Sequence, residues 1–239
     1  GLHGQRLSNA RLNDKQQLLL RALPAIWTAM QKYVAMLEKY RGLVLLLAGG
    51  ISATGFAPLN LWPLTLLCLA LLMHLVARAD SGKRAFLLGW LFGVGHFSIG
   101  NNWIATAFTY QEAMPVWLGW IAVLLLALYL AVYPAIACWG AWRIAKRAGS
   151  AFVSLPFILA FAGCWIITEW LRGWVFTGFP WNPLSVIAVD VDSSATLVGS
   201  YGASGLVCFI AGIVVLVARR QTKAAAGLAA AAIVIIAAG

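Results

Sequence analysis

The chain has 239 residues, 62% of them hydrophobic and only 10% charged, with a mean hydropathy of +0.87. Soluble domains are roughly 45–50% apolar and about 25% charged, so the composition excludes an ordinary soluble domain and defines an integral membrane protein. The net charge of +10 does not mark a nucleic-acid binder, because the basic residues fall in short clusters between apolar runs, as in cytoplasmic loops.

Residues 1–42 hold seven of the seventeen Lys and Arg residues: Arg6, Arg11, Lys15, Arg21, Lys32, Lys39 and Arg41. Apolar spacing over 18–40, interrupted at Pro24, fits a basic amphipathic helix on the cytoplasmic leaflet, with a poorly ordered extension as the alternative. The first apolar segment, 43 to about 57, is short for a span, which needs ~20 residues. Its Gly49, Gly50 and Gly55 allow a neighbouring helix to approach closely. A turn with Pro58 and Pro63 leads into a second segment, about 61–77, and then a basic loop over 78–84.

The third segment runs from 85 to about 110, with Gly89 and Gly93 at GxxxG spacing. Asn101, Asn102 and Trp103 lie near its far end, and buried asparagines need partners, so they are expected to face the bundle or a polar cavity. A fourth segment covers 116 to about 142, followed by Arg143, Lys146 and Arg147; a fifth covers about 152–171. After a polar stretch over 182–196 with Asp190 and Asp192, a sixth segment runs from about 197 to 218, followed by Arg219, Arg220 and Lys223. A seventh starts at Ala224 and is unfinished at Gly239; with Gly1 in place of a methionine, the chain reads as a piece of a longer protein.

The expected fold is therefore all-α, a polytopic transmembrane bundle of about seven helices. With the amino terminus inside, alternate loops place 16 of the 17 Lys and Arg residues on the cytoplasmic side, and only Arg172 falls outside. That count predicts a cytoplasmic amino terminus and puts the 168–196 region on the outer face. Trp62, Trp103, Trp117, Trp174 and Trp181 then suit an outer aromatic belt.

The stretch Thr168-Glu169-Trp170-Leu171-Arg172-Gly173-Trp174-Val175-Phe176-Thr177-Gly178-Phe179-Pro180-Trp181 breaks the composition on both sides. Glu169 and Arg172 are three apart and share a helix face. An ionisable residue at membrane depth points to function, although a structural ion pair followed by an interfacial Trp anchor accounts for the same residues. Other chemistry is missing. No paired carboxylates, Gly-rich phosphate loop or Ser-His-Asp set is visible, and no cofactor is indicated. Cys68, Cys138, Cys164 and Cys208 sit singly in apolar segments, and His3, His74 and His96 lack ligand spacing, so no metal or disulfide is expected. A transporter would show repeated broken helices, and no repeat is evident.

Several stretches carry a resemblance in order and spacing: Gly55-Phe56-Ala57-Pro58 with Leu61-Trp62-Pro63; Gly89-Trp90-Leu91-Phe92-Gly93-Val94-Gly95; Asn102-Trp103-Ile104; Met114-Pro115; Tyr129-Leu130-Ala131-Val132-Tyr133-Pro134; and, most specifically, 169–181. With these, the chain resembles the bacterial apolipoprotein N-acyltransferase family over roughly residues 43–239. The resemblance implies a multi-pass inner-membrane acyltransferase with its active side facing the periplasm. It would take an acyl chain from a membrane phospholipid, hold it as a cysteine thioester and pass it to the amine of a diacylglyceryl lipoprotein.

It also implies an eight-helix bundle with a periplasmic nitrilase-like α/β domain, inserted between the last two helices and carrying a Glu-Lys-Cys triad. This chain stops in segment seven, before that domain would begin, and none of its four cysteines matches the family nucleophile. No catalytic residue is assigned, and the chain alone is expected to be inactive. Its substrate-binding candidates are Trp181, Phe179, Pro180, Gly178, Glu169, Arg172, Asn102 and Trp103. The 178–181 tip would line the substrate entrance, and the Glu169–Arg172 pair would fix the helix end beneath it. A non-catalytic membrane module, or a transporter or scaffold sharing the bundle, is the alternative reading.

Overall fold

The computed structural model describes residues 39–110, 115–149, 152–176, 178–189 and 195–238. Every regular element among them is helical, as the composition and apolar periodicity predict. The amphipathic helix expected over 18–40 lies almost wholly outside the described residues, as do Gln111, Glu112, Met114, Thr177, Asp190 and Asp192. Residues 42–239 belong to one compact unit.

In chain order the α-helices are α1 (Arg41–Ser52), α2 (Trp62–Ala77), α3 (Gly82–Gly100), α4 (Trp103–Ala107), α5 (Val116–Leu130), α6 (Val132–Arg147), α7 (Leu155–Trp174), α8 (Ala195–Ala218) and α9 (Thr222–Ala238). Short 3₁₀ turns follow at Ala53–Gly55, Phe108–Tyr110 and Leu184–Ala188. Two starts are capped by serines. Ser81 accepts from the Arg84 N–H at 3.3 Å and Ser154 from the Phe157 N–H at 3.5 Å, each satisfying an orphan donor of the first turn. Pro63 and Pro156 occupy first-turn positions, where a missing N–H costs nothing.

Two predicted segments are each divided. The third breaks at Asn101 and Asn102, so α3 ends at Gly100 and α4 is a separate single turn. The fourth divides at Ala131 because Pro134 has no N–H for the Leu130 carbonyl and its ring crowds that carbonyl. α5 and α6 still form one apolar run of 32 residues, Val116–Arg147. α8 is kinked at Gly199, whose φ of 71° and ψ of 169° are not helical.

Three described runs are long and apolar enough to cross a membrane: Val116–Arg147, Leu155–Trp174 and Ala195–Ala218. Arg41–Gly55, Trp62–Ala77 and Thr222–Ala238 are apolar but shorter; at 1.5 Å per residue, α2 reaches about 24 Å of the ~30 Å hydrocarbon core. The seven segments are thus all helical, but they are unequal in reach.

Small residues set the helix spacing. A Cβ on Gly49 would strike the Phe92 carbonyl, and one on Gly95 would strike the Leu46 carbonyl, so α1 and α3 approach backbone to backbone. A Cβ on Gly93 would lie 2.8 Å from the Ala131 Cα. The GxxxG spacing therefore works against the α5–α6 junction, the close approach that small residues allow in membranes. The main core runs through Leu69, Leu72, Met73, Phe92, Phe157 and Phe161, all buried. A smaller one, Phe97, Ala127, Leu130 and Tyr133, has Leu171 and Trp181 packed against it.

Candidate functional site

The last turns of α7 carry the site. Trp165, Glu169 and Arg172 recur at spacings of four and three, so one face of the helix presents an indole, a carboxylate and a guanidinium. All three are buried, Glu169 at 1% exposure and Arg172 at 3%. The Glu169 Oε2 accepts from Trp165 Nε1 at 3.0 Å and from the Leu184 backbone N–H at 3.4 Å. Its Oε1 accepts from Ser204 Oγ at 2.5 Å. Arg172 Nη2 stands 3.5 Å from Oε2. Every partner donates, which is the pattern an acceptor-only carboxylate requires.

The network ties three elements together. Glu169 holds the start of the Leu184–Ala188 turn through a backbone donor and holds α8 through Ser204. Ser204 Oγ accepts in turn from the Ser185 N–H at 2.9 Å. Arg172 Nε donates to the Pro180 carbonyl at 3.3 Å, and its guanidinium carbon lies 5.1 Å from the Phe97 ring centroid, a cation–π contact with α3. The ion pair therefore does more than cap a helix: it also fixes the loop that follows.

That loop is held in an unusual backbone. Phe176, Gly178, Trp181 and Asn182 have φ values of 74°, 67°, 34° and 50°. Three of the four are not glycine, and such conformations are strained unless the surroundings hold them. The Phe179 and Trp181 rings stand edge to face, 4.9 Å apart. Phe179 is exposed, while Trp181 is half-buried against the Phe97–Tyr133 cluster. Phe176 lies 5.4 Å from Tyr129, whose hydroxyl is 2.9 Å from that of Tyr133.

A cavity of about 10 Å³, the size of one water, is lined by His96, Phe97, Trp165, Arg172 and Asn182 among others. His96 is buried among Phe56, Phe92 and Phe97. Its Nδ1 is 2.7 Å from Ser52 Oγ, and the Ser52 hydroxyl donates to the Gly49 carbonyl at 2.6 Å. With that one proton used, the histidine is the donor to Ser52.

Of the predicted residues, the structure brings together Glu169, Arg172, Gly178, Phe179, Pro180 and Trp181. Asn102 and Trp103 do not join the buried Glu169–Arg172 pair; both are exposed, Trp103 at 57%. The buried asparagine is Asn101, at 1% exposure, and its side-chain N and O have no hydrogen-bond partner among the described residues. Sequence reasoning missed Trp165, although its i,i+4 spacing to Glu169 was available. It missed Ser204, Asn182 and His96, which only the tertiary fold brings to the site. The four cysteines are free, and Cys68, Cys138 and Cys208 are buried. Among the described residues, no group of His, Cys, Asp or Glu side chains is placed to hold a metal.

Fold and site together define a polytopic α-helical membrane module with a buried charge cluster beneath an aromatic loop. Residues 48–213 match the family model described as the apolipoprotein N-acyltransferase N-terminal domain, and the chain belongs to that family. It is 38% identical over 176 residues to the apolipoprotein N-acyltransferase of Chromobacterium violaceum, covering 72% of this chain and 33% of that one. The protein of the same name from Ralstonia nicotianae is 36% identical over 177 residues, 73% of this chain and 34% of the relative. That from Shewanella oneidensis is 32% identical over 200 residues, 82% and 37% respectively. The chain thus spans about a third of the length of the curated relatives it matches.

Proposed function

We propose that this chain is the membrane part of an apolipoprotein N-acyltransferase. The reaction moves an acyl chain from a glycerophospholipid to the N-terminal amine of an S-diacylglyceryl-cysteine lipoprotein. The observation that carries the reading is the site within the matched region: Arg172 and Glu169, both buried, hold the Pro180 carbonyl between the two rings of the aromatic tip and the Leu184 N–H just after it. The tip presents Phe179 to the surroundings and keeps Trp181 half-buried beside it. An indole suits the boundary between acyl chain and headgroup.

In this reading the module holds the lipid tails and positions both substrates at the end of the bundle bearing residues 176–182. Acyl-cysteine chemistry is assigned to a part of the enzyme outside the matched residues, because Cys68, Cys138 and Cys208 are buried and Cys164 is half-buried against the apolar core. The basic-loop count supports a cytoplasmic amino terminus, with the aromatic loop on the periplasmic side of the inner membrane.

The test is acyl transfer from phospholipid to a diacylglyceryl peptide in detergent, with thioester trapping, for this chain and for a longer version that includes the remainder of the relatives' length. The expected result is transfer by the longer version only. In that version Trp181→Ala is expected to lower kcat/KM for both substrates. Transfer with a trapped acyl-cysteine on this chain would refute the division of labour, and unchanged kinetics in Trp181→Ala would refute the role of the tip.

A further inference from the structure

At the basic-loop end of α3 and α6, away from the aromatic loop, a groove of about 520 Å³ opens on the side of the bundle. That volume lies within the ~300–1,000 Å³ usual for small-molecule sites. Gly82, Lys83 and Phe86 line it from α3, and Ile136 and Trp139 line it from α6. Phe86 and Lys83 are three apart, as are Ile136 and Trp139, so each helix contributes one ridge. Gly82 brings the helices together here: a Cβ on it would lie 3.0 Å from the Trp139 ring and 3.2 Å from Trp142. Trp142 Nε1 donates to the Ala79 carbonyl at 2.9 Å, which fixes the loop beside the groove.

The groove has a polar mouth and apolar walls. Lys83 is exposed and has no carboxylate partner among the described residues, and the Trp139 indole N–H has no acceptor among them. Lys146 stands 6.0 Å from the Trp142 ring centroid, adding a second cation nearby. The loop between α2 and α3, the first turn of α3 and the end of α6 together carry Arg78, Lys83, Arg84, Arg143, Lys146 and Arg147 against the single acid Asp80. A cationic rim, a free indole donor and an apolar trough in a membrane protein match one ligand chemistry: a phosphate diester above an acyl chain.

We propose that this groove binds an anionic glycerophospholipid from the leaflet on the basic-loop side, its phosphate at Lys83 and the Trp139 N–H and one acyl chain along Phe86 and Ile136. The lipid is a bound companion of the fold and not the acyl donor, because it lies at the other end of α3 from the site around Glu169 and Arg172. The inference rests on the membrane reading alone and stands whether or not the chain handles lipoprotein.

The test is native mass spectrometry of the full 239-residue chain in detergent, titrated with dioleoyl-phosphatidylglycerol or dioleoyl-phosphatidylcholine. One phosphatidylglycerol is expected to be retained at roughly fivefold lower concentration than phosphatidylcholine, the ratio that one surface cation contributes. Lys83→Gln should equalise the two lipids, and Ile136→Trp, which fills the trough without touching charge, should weaken both. Lys223→Gln, a basic position outside the groove, should match the parent chain. Lys83 is exposed, so its replacement leaves packing intact, and a monodisperse elution profile verifies each variant. Equal retention of the two lipids by the parent chain would overturn the proposal, as would a preference surviving Lys83→Gln. So would binding untouched by Ile136→Trp, or a chain dimer that phosphatidylglycerol fails to dissociate.

Discussion

Replacing Glu169 by Gln tests whether the buried pair organises the site. In the structure the carboxylate meets Arg172 Nη2 at 3.5 Å and takes hydrogen bonds from Trp165, Leu184 and Ser204. At that separation and an effective dielectric near 20, the Coulomb attraction is about 5 kcal/mol before desolvation is subtracted. Glutamine keeps one oxygen, which satisfies the Trp165 and Leu184 donors, and turns its NH₂ toward Ser204. The guanidinium is then left buried beside a neutral group. Removing one partner of a buried pair costs about 3–5 kcal/mol, and that is the destabilisation expected. Replacing both, as Glu169→Gln/Arg172→Met, removes the stranded charge and should recover all but about 1–2 kcal/mol. Reversible unfolding in mixed detergent micelles, followed by tryptophan fluorescence, measures all the variants. A Glu169→Gln loss below about 0.5 kcal/mol, or a double variant as unstable as the two single variants summed, would refute the reasoning.

Other expectations follow from packing, capping and topology. Gly95→Ala forces a methyl into the Leu46 carbonyl and should cost about 1–3 kcal/mol, whereas Gly163→Ala, with nothing within 4 Å of its Cβ, should gain up to about 1 kcal/mol from helix propensity. The same micelle unfolding assay reads both. Ser81→Ala removes the acceptor for the Arg84 N–H and should cost about 0.5–2 kcal/mol, seen as faster amide exchange in the first turn of α3. In intact cells, Gly178→Cys should react with a membrane-impermeant maleimide added to the periplasm while Gly149→Cys should not; the reverse pattern would invert the proposed orientation.

The helical class, the segment order and the 168–181 cluster were legible in the sequence because they rest on apolar runs and on local i,i+3 spacing. Pro134 and the Asn101–Asn102 pair were visible too, yet the apolar run passes through both, so hydropathy alone ran two breaks into continuous segments. What the sequence could not supply was the third dimension of the polar cluster. Ser204 is 35 residues from Glu169 and reaches it only because α8 packs on α7. Asn101 and Asn102 are neighbours of one type, and the turn that ends α3 decides which is buried. Asn182 stands out only once the fold brings it against Gly100.

The polar cluster also explains how the aromatic loop holds its position. Among lipid tails, an apolar side chain gains nothing by leaving lipid for protein, so hydrophobic burial cannot by itself fix where a loop of Phe, Trp and Val sits. A buried carboxylate has no such freedom, because each of its lone pairs must find a donor or lose free energy. Glu169 finds two of its donors in the Leu184 backbone and in Ser204, which itself accepts from Ser185; Arg172 spends its Nε on the Pro180 carbonyl. Each bond is to the loop's own backbone or to an element that holds it, so the loop's path is set by hydrogen-bond satisfaction while Phe176 and Phe179 stay exposed. The positive φ at Phe176, Trp181 and Asn182 is the cost of that path. Strained backbone persists only where the surroundings over-determine it, and on that ground we propose the loop, more than any apolar helix face, as the place where substrate meets this module.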